Sequence, residues 1–473
     1  MRSICVLVLM ATVFAAGAMA ATVTIGVTND SFGASNASVT ISAGDTVTWQ
    51  WHAGYHTVTS GTVGSPDGKF DGAMDSYDAT FTLSPGTAGY PFNQAGTYPY
   101  YCQFHGACCN MHSSIVVRSG AATPYRTLGG ASQNSVATAR SGAKTLLAAA
   151  SGTKLYLMNA LDSLLGDAAN WAGGKDLGGT VSGRPSFGSV GGALALAVGT
   201  NSGRALVFDV ASGGILTDST MAGASIPTAP AFVHHTGGDD VYWGIQTATG
   251  PALVRSRAGA FSAPLTLGVS TVTIRSSPAI FDGTLVVGTS ADVRTFRVDP
   301  SSGALTPQSI PASGDALNTS PVVSRSGEAL VGGSSGKVYK INLATGATDG
   351  AAVSLPAAAS PLSEPFYTAA TDTAAFGGKN GSVYYISAHG IGTPASLAST
   401  VSFGSGALVS PLLLGANTFA ADAVGDFGMA GGSFALQMGS AAGGAVAATG
   451  TTSGVDRVIA NTVDGKLFGL PVP

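Results

Sequence analysis

The chain reads as all-β in two parts: an N-terminal β-sandwich and a C-terminal β-propeller of eight blades, with seven the alternative count. Composition is the first reason. With 67 Gly in 473 residues, 10% charged residues and abundant Ser, Thr, Ala and Val, it describes a turn-rich strand protein long enough for more than one core. Short segments within residues 21–118 alternate apolar and polar residues at a period of two. Beyond them a unit of about 45 residues repeats, a period that signals blades or solenoid turns.

Residues 1–20 carry one Arg, an apolar run from Ile4 through Ala16, and a small-residue end at Ala18-Met19-Ala20. That is the layout of a secretory signal peptide, too short for a spanning helix. No later stretch reaches spanning length, so the expected mature protein is secreted or periplasmic, with no membrane span. Cys5 leaves with the leader, and the other cysteines all fall within Cys102 to Cys109, so no disulfide framework staples the remainder. The formal charge of −4 becomes about −5 without Arg2, and Lys and Arg form no cluster. Nucleic acid needs a basic face and is excluded as a partner.

Residues 21–118 are the expected sandwich. Val23, Ile25 and Val27 alternate with polar neighbours, as do Val39 and Ile41, and Val47, Trp49 and Trp51 share one face. The stretch from Gly61 to Tyr77, with Ser65-Pro66-Asp67-Gly68, reads as a loop. Strands resume at ATFTL and GTYPYYC, and Ser113 to Val117 supplies the last one. If these last two are neighbours, Cys102, His105 and Met111 hang from one connecting loop, and His56 arrives from across the sandwich.

Those four residues carry the chemistry. The stretch YYCQFHGACCNM, Tyr100 to Met111, offers a thiol, an imidazole three residues on and a thioether, and His56 in YHTVTS adds a second imidazole. Singly, a Cys is most often an inert buried residue and a His a loop imidazole. Together they make a soft donor set that suits copper. Two His, one Cys and a long axial Met are the ligands of blue-copper electron-transfer centres, whereas magnesium and calcium want oxygen. With TVTWQW, HTVTS, GTYPYYC and SSIVV around it, this set resembles the plastocyanin and pseudoazurin family of cupredoxins. The resemblance implies one type 1 copper ion held by His56, Cys102, His105 and Met111, exchanging single electrons with a redox partner protein, hence a carrier rather than an enzyme. In that family the Met stands five residues after the second His, or three in amicyanin-like loops. Here it stands six after, with Asn110 in the fifth place, so the axial ligand is Met111 or is lost. Cys108 and Cys109 are adjacent, with Cα atoms about 3.8 Å apart where a disulfide usually spans about 4.4–6.8 Å. A vicinal disulfide, free thiols and a second soft-metal cluster with His112 and His52 all stay open.

Residues 119–136 are small and polar, a linker whose 123–128 portion is expected to supply a closing strand. From 137 to 473 the anchors GRPSF, TAPAF, SSPAI, TSPVV, SEPFY and VSPLL recur at Pro185, Pro230, Pro278, Pro321, Pro365 and Pro411, at intervals of 45, 48, 43, 44 and 46 residues. An apolar strand, a Gly turn and an aromatic strand follow, as in EALVGGSSGKVYKIN and TAAFGGKNGSVYYIS. KTLLAAASGTKLYLMN and DRVIANTVDGKLFGL are units without the Pro, which makes eight. About four short strands per unit describe a propeller blade, with a solenoid the alternative. The units resemble quinoprotein-like propeller repeats, including their Thr-Gly and Ser-Gly turns in NLATGAT and DPSSGAL. Fold does not carry function. The regular Trp signature of quinoprotein dehydrogenases is missing, with only Trp171 and Trp243 in the propeller, so no quinone is expected. Seven His are too few for the trinuclear cluster of a multicopper oxidase, and the three in the propeller do not build the multi-His cluster of a nitrous oxide reductase. His234 and His235, in FVHHTGGDD, read as surface-turn residues, with a stray metal site beside Asp239 and Asp240 the other option. Two functions follow from this reading: an exported electron carrier whose propeller is a docking platform, or a propeller-based binding or adhesion protein with an accessory copper domain.

Overall fold

The computed structural model describes residues 22–471 apart from 43–44, 88, 93–95, 119–123, 133–135, 143, 161–164, 275, 314, 318, 361, 404–406, 415–416, 423–425, 430–434, 439–446 and 450–456. The leader expected at 1–20 and the 119–123 part of the linker lie outside the described residues. Two compact units divide between Gly120 and Ala121.

The first unit holds strands β1 (Thr22–Thr28), β2 (Ser31–Phe32), β3 (Val39–Ser42), β4 (Thr46–Trp51), β5 (His56–Thr62), β6 (Ser65–Met74), β7 (Thr80–Leu83), β8 (Gly96–Tyr101) and β9 (His112–Arg118), with a single helical turn, α1 (Gly106–Cys109), between the last two. One sheet runs β2-β1-β4-β7 and the other β3-β9-β8-β5-β6. The alternation read from β1, β3 and β4 is the alternation of burial: Ile25, Val27, Ile41, Val47 and Trp49 meet Tyr100, Ile115 and Val117 in one core. Trp49 sits at its centre, its ring 5.3 Å from Tyr100 and 5.7 Å from Phe70. Truncating such a ring costs about 3–5 kcal/mol.

Two readings of this unit need correction. The stretch from Gly61 to Tyr77, expected as a loop, contains β6, paired with β5 from Thr62↔Ser65 to His56↔Met74. Its turn-forming start, Pro66 and Gly68, is tolerated because β6 is a sheet edge. A shift in register at Thr59 to Gly61 is covered by the Ser60 hydroxyl, which accepts the N–H groups of Lys69 and Phe70 at 2.9 Å each. Second, His56 does not cross the sandwich. It opens β5, which pairs with β8 in the same sheet through Thr59↔Tyr101 and Ser60↔Tyr100.

In the second unit the described residues form eight sheets. Their first strands are Ala137–Ser141, Ser186–Val190, Ala231–His235, Ala279–Phe281, Val322–Val323, Phe366–Thr368, Leu408–Leu414 and Ala447–Thr449. Each adjoins the next, and the last adjoins the first, in a closed circuit. Apolar clusters bridge neighbouring sheets: Leu146 and Leu155 of the first meet Leu196 and Val198 of the second, and Ile459 and Leu467 of the last meet Leu147 and Tyr156 of the first. Arg126–Thr127 joins the last sheet by pairing with Leu467 and Lys466. This is a propeller, with each sheet buried against its neighbours.

The repeated anchor has a structural reason. Five of the six anchor prolines stand just before a first strand, an edge position where a missing N–H costs no ladder bond; Pro411 lies inside its strand. The residue before the Pro joins one sheet to the next at three of these anchors. Ala229 N–H donates to Ser277 Oγ at 2.8 Å, Ser277 N–H to Ser320 Oγ at 2.9 Å and Ser320 N–H to Glu364 Oε2 at 2.9 Å. The turn glycines Gly336 and Gly381 adopt φ of +76° each, a conformation only Gly takes without cost.

The pair His234-His235 also departs from its reading. His234 is exposed, with Nδ1 2.5 Å from Asp239 Oδ1. His235 is buried, with Nε2 2.7 Å from Asp240 Oδ2, and Arg257 Nε reaches Asp240 Oδ1 at 2.6 Å. It belongs to an internal ion-paired network rather than to a surface turn or a stray metal site.

Candidate metal centre

A tight turn delivers His56. Trp51 Nε1 donates to Gly54 O at 2.7 Å, and Gly54 adopts φ +85° directly under the imidazole. A Cβ there would lie 2.2 Å from His56 Nε2. The ring itself is fully buried, and its Nε2 stands 3.0 Å from Ala53 O. A carbonyl only accepts, so Nε2 carries the proton and Nδ1 presents its lone pair. Burial, and after it the neighbouring His105, hold the His56 pKa below the ordinary value. At neutral pH the ring is therefore an uncharged donor.

Cys102 follows the end of β8 and is fully buried. Its N–H donates to Met111 O at 3.0 Å and its carbonyl accepts Gly106 N–H at 2.8 Å, which ties both ends of the loop to the Cys. Thr57 N–H points at Cys102 Sγ from 3.5 Å. Thr57 Oγ1 accepts Gln103 N–H at 2.9 Å, and Gln103 Nε2 reaches Thr59 Oγ1 at 3.1 Å. Two hydrogen bonds thus lock the strand of His56 to the loop of Cys102.

His105 stands just before α1, and its carbonyl accepts the N–H groups of Cys109 at 3.1 Å and Met111 at 3.2 Å. Asn110 ends the turn at φ +58°, a left-handed conformation that Asn tolerates. Its carbonyl accepts Asn36 Nδ2 at 3.0 Å, and Asn36 Oδ1 accepts Phe32 N–H at 2.8 Å. The six-residue spacing from His105 is absorbed here: a helical turn and one left-handed residue return Met111 to the core, where it is fully buried in the same cluster as Cys102.

The donor atoms converge. His56 Nδ1 and His105 Nδ1 are 3.1 Å apart, and Cys102 Sγ lies 3.8 Å from the first and 3.5 Å from the second. The point equidistant from these three atoms lies about 2.0 Å from each, close to the metal–nitrogen and metal–sulfur lengths of about 2.0–2.1 and 2.3 Å. Among the described residues this is the one trio of His, Cys, Asp or Glu side chains so gathered. With Met111 it fits a type 1 copper site, and its nitrogen and sulfur donors disfavour hard cations.

The centre has a covered side and an open one. His56 is sealed in, while His105 is half-buried near Phe104, whose ring lies 5.2 Å from that of Tyr55 at a tilt of 47°; Tyr55 and Phe104 are 56% and 53% exposed. Cys108 and Cys109 are joined as a disulfide, and His112 Nε2 faces Asn110 Oδ1 at 2.7 Å. The second soft-metal cluster is therefore not assembled among the described residues. Sequence reasoning missed Gly54, Asn36 and Thr57 as supports of the centre. The Gly within WHAGYH was the signal for the first; Asn36 acts across 74 residues, which no local pattern reveals.

Comparison with known proteins agrees with both units. Residues 21–118 match the profile of "Copper binding proteins, plastocyanin/azurin family". A search of curated protein sequences found no match. BamB from Moraxella catarrhalis is similar in structure at 15% identity, over 74% of this chain and 99% of its own, with a TM-score of 0.53. Sqt1 of Saccharomyces cerevisiae gives 13%, 74%, 100% and 0.53, and a europium-containing methanol dehydrogenase 11%, 72%, 84% and 0.52. Such coverage exceeds what the sandwich could supply, so these likenesses concern the propeller, and at these identities they show fold alone. Residues 21–118 are thus a cupredoxin domain of the plastocyanin/azurin type, on a chain whose longer part folds as a propeller.

Proposed function

We propose that this protein is an exported one-electron carrier whose type 1 copper centre is held by His56, Cys102, His105 and Met111, with the propeller serving as a docking platform for a redox partner. The single observation that carries the reading is the donor triangle, already spaced for one ion. When bound, copper supplies a one-electron couple. The protein supplies rigidity: the Gly54 turn, the Thr57 and Gln103 bonds and the buried sheet ends fix the donors, so little reorganises when the charge changes. His56 is sealed from solvent, and His105, framed by exposed Tyr55 and Phe104, is the edge at which electrons enter and leave. Those two rings offer an apolar contact for a partner protein, of the aromatic kind enriched at interfaces. The leader-like residues 1–20 support export, and the eight sheets are read as eight blades. In the propeller each His has a structural partner: His234 meets Asp239, His235 meets Asp240, and His389 Nε2 meets Ser396 Oγ at 2.7 Å.

Voltammetry of the copper-loaded full chain tests this. The reading expects a reversible one-electron wave that survives repeated cycling. Copper bound without any reversible couple would reject electron transfer while leaving copper binding in place.

A further inference from the structure

We propose that the Cys108–Cys109 disulfide is a thiol–disulfide exchange site for a low-molecular-weight thiol, and that opening it retunes the copper centre. Both cysteines are exposed, whereas Cys102 is buried. Exchange requires a thiolate to reach a sulfur, so access alone separates this pair from the metal-binding Cys.

The position of the pair gives its opening a consequence. Cys108 and Cys109 are the last two residues of α1, with Cα atoms 3.8 Å apart. Consecutive side chains on a helix diverge by about 100°. A bond between them therefore adds a constraint to the turn, and opening it leaves the Cys109 and Met111 hydrogen bonds to His105 as the turn's remaining ties. That turn is the whole connection between His105 and Met111. The N–H groups of Cys109 and Met111 both end on the His105 carbonyl, so relaxation at residues 108–109 reaches one imidazole and the thioether together. At its far end Asn110 is held by Asn36, which leaves the His105 side to take up the movement.

The chemistry balances without copper. A thiolate such as that of glutathione attacks one sulfur, the S–S bond breaks, and the other sulfur leaves as a thiolate that takes up a proton. A second thiol resolves the mixed disulfide. Two electrons and two protons end on Cys108 and Cys109, and the reagent leaves as its own disulfide. The exchange half of the proposal is independent of the copper reading, and the retuning half rests on it.

Two measurements on the full chain separate the halves. In the first, folded protein is equilibrated in glutathione buffers of increasing reducing strength, quenched with iodoacetamide and mapped by mass. The expected result is two adducts, on Cys108 and Cys109, with Cys102 unmodified and the circular dichroism of the folded chain retained. A pair that stays closed until the protein unfolds overturns the exchange site. In the second, copper-loaded wild type, wild type opened by thiol and desalted under argon, and a Cys108→Ser/Cys109→Ser variant are compared by visible spectrum and midpoint potential. Both opened forms are expected to shift in the same direction from the closed one. Identical spectra and potentials in all three overturn the retuning. If the closed wild type takes up no copper, the copper reading falls and the retuning with it, while the adduct count still decides the exchange.

Discussion

Replacing Gly54 by Ala probes how far the centre depends on one turn. The new Cβ would lie 2.2 Å from His56 Nε2 and 3.0 Å from its Cε1, against an ordinary contact of 3.4 Å or more. The imidazole must retreat by about 1.2 Å, several times the roughly 0.2 Å within which metal–ligand distances hold. Retreat also breaks the 3.0 Å bond from Nε2 to Ala53 O, leaving a buried N–H unsatisfied. The left-handed backbone costs about 1–2 kcal/mol for a residue with a Cβ, and the lost bond about 1–3 kcal/mol. Gly54→Ala should therefore destabilise the metal-free domain by about 2–5 kcal/mol and weaken copper by at least about 10–100-fold. Gly64→Ala is the control. Gly64 has φ +78° with nothing within 4 Å of its Cβ position, so it carries the backbone cost without the clash. Urea unfolding and copper titration of the two variants check the reasoning. Equal copper affinity in both would show that the His56 turn does not position the ligand.

Other variants test the remaining supports. Thr57→Val removes the acceptor of Gln103 N–H and should cost about 1 kcal/mol in urea unfolding while copper is retained. In the propeller, Lys340 is buried, with Nζ 3.1 Å from Asp349 Oδ2 and 3.4 Å from the fully buried Glu328. Lys340→Met leaves Glu328 without its counter-charge and should destabilise the second unit by about 3–5 kcal/mol, read by calorimetry. At Asp315, burial pushes the carboxyl up, but hydrogen bonds from Ser335, Tyr339 and Ser334 outweigh it and hold the pKa below the ordinary value. A carboxyl lowered in this way stabilises the fold above the ordinary carboxylate range, and that contribution disappears as pH falls through the lowered value. Asp315→Asn should accordingly flatten the acid limb of the stability–pH curve, and an unchanged limb would assign the acid sensitivity elsewhere.

Much of the architecture was legible because its signals are local and repeated. The anchors recur often enough to define the unit, and Val47 and Trp49 alternate as a half-buried strand must. The donor set was legible because three of its members share ten residues. What escaped depends on partners far along the chain. Phe70 and Met74 alternate correctly for a strand, but Pro66, Asp67 and Gly68 outweighed them, since a sequence does not say that β6 is an edge. A period of two tells which face a residue takes but not which strand lies beside it, so His56 was placed on the wrong sheet. His235 looked like a turn residue because Arg257, 22 positions on, closes its network.

The central claim is that one thiolate and two imidazoles share a single copper ion. Titration of the protein with copper(II), followed by visible absorption and electron paramagnetic resonance, tests it most directly. The account predicts saturation at one equivalent with an intense thiolate-to-copper band that is lost in Cys102→Ser. Copper bound without that band, or the same band in Cys102→Ser, would contradict it.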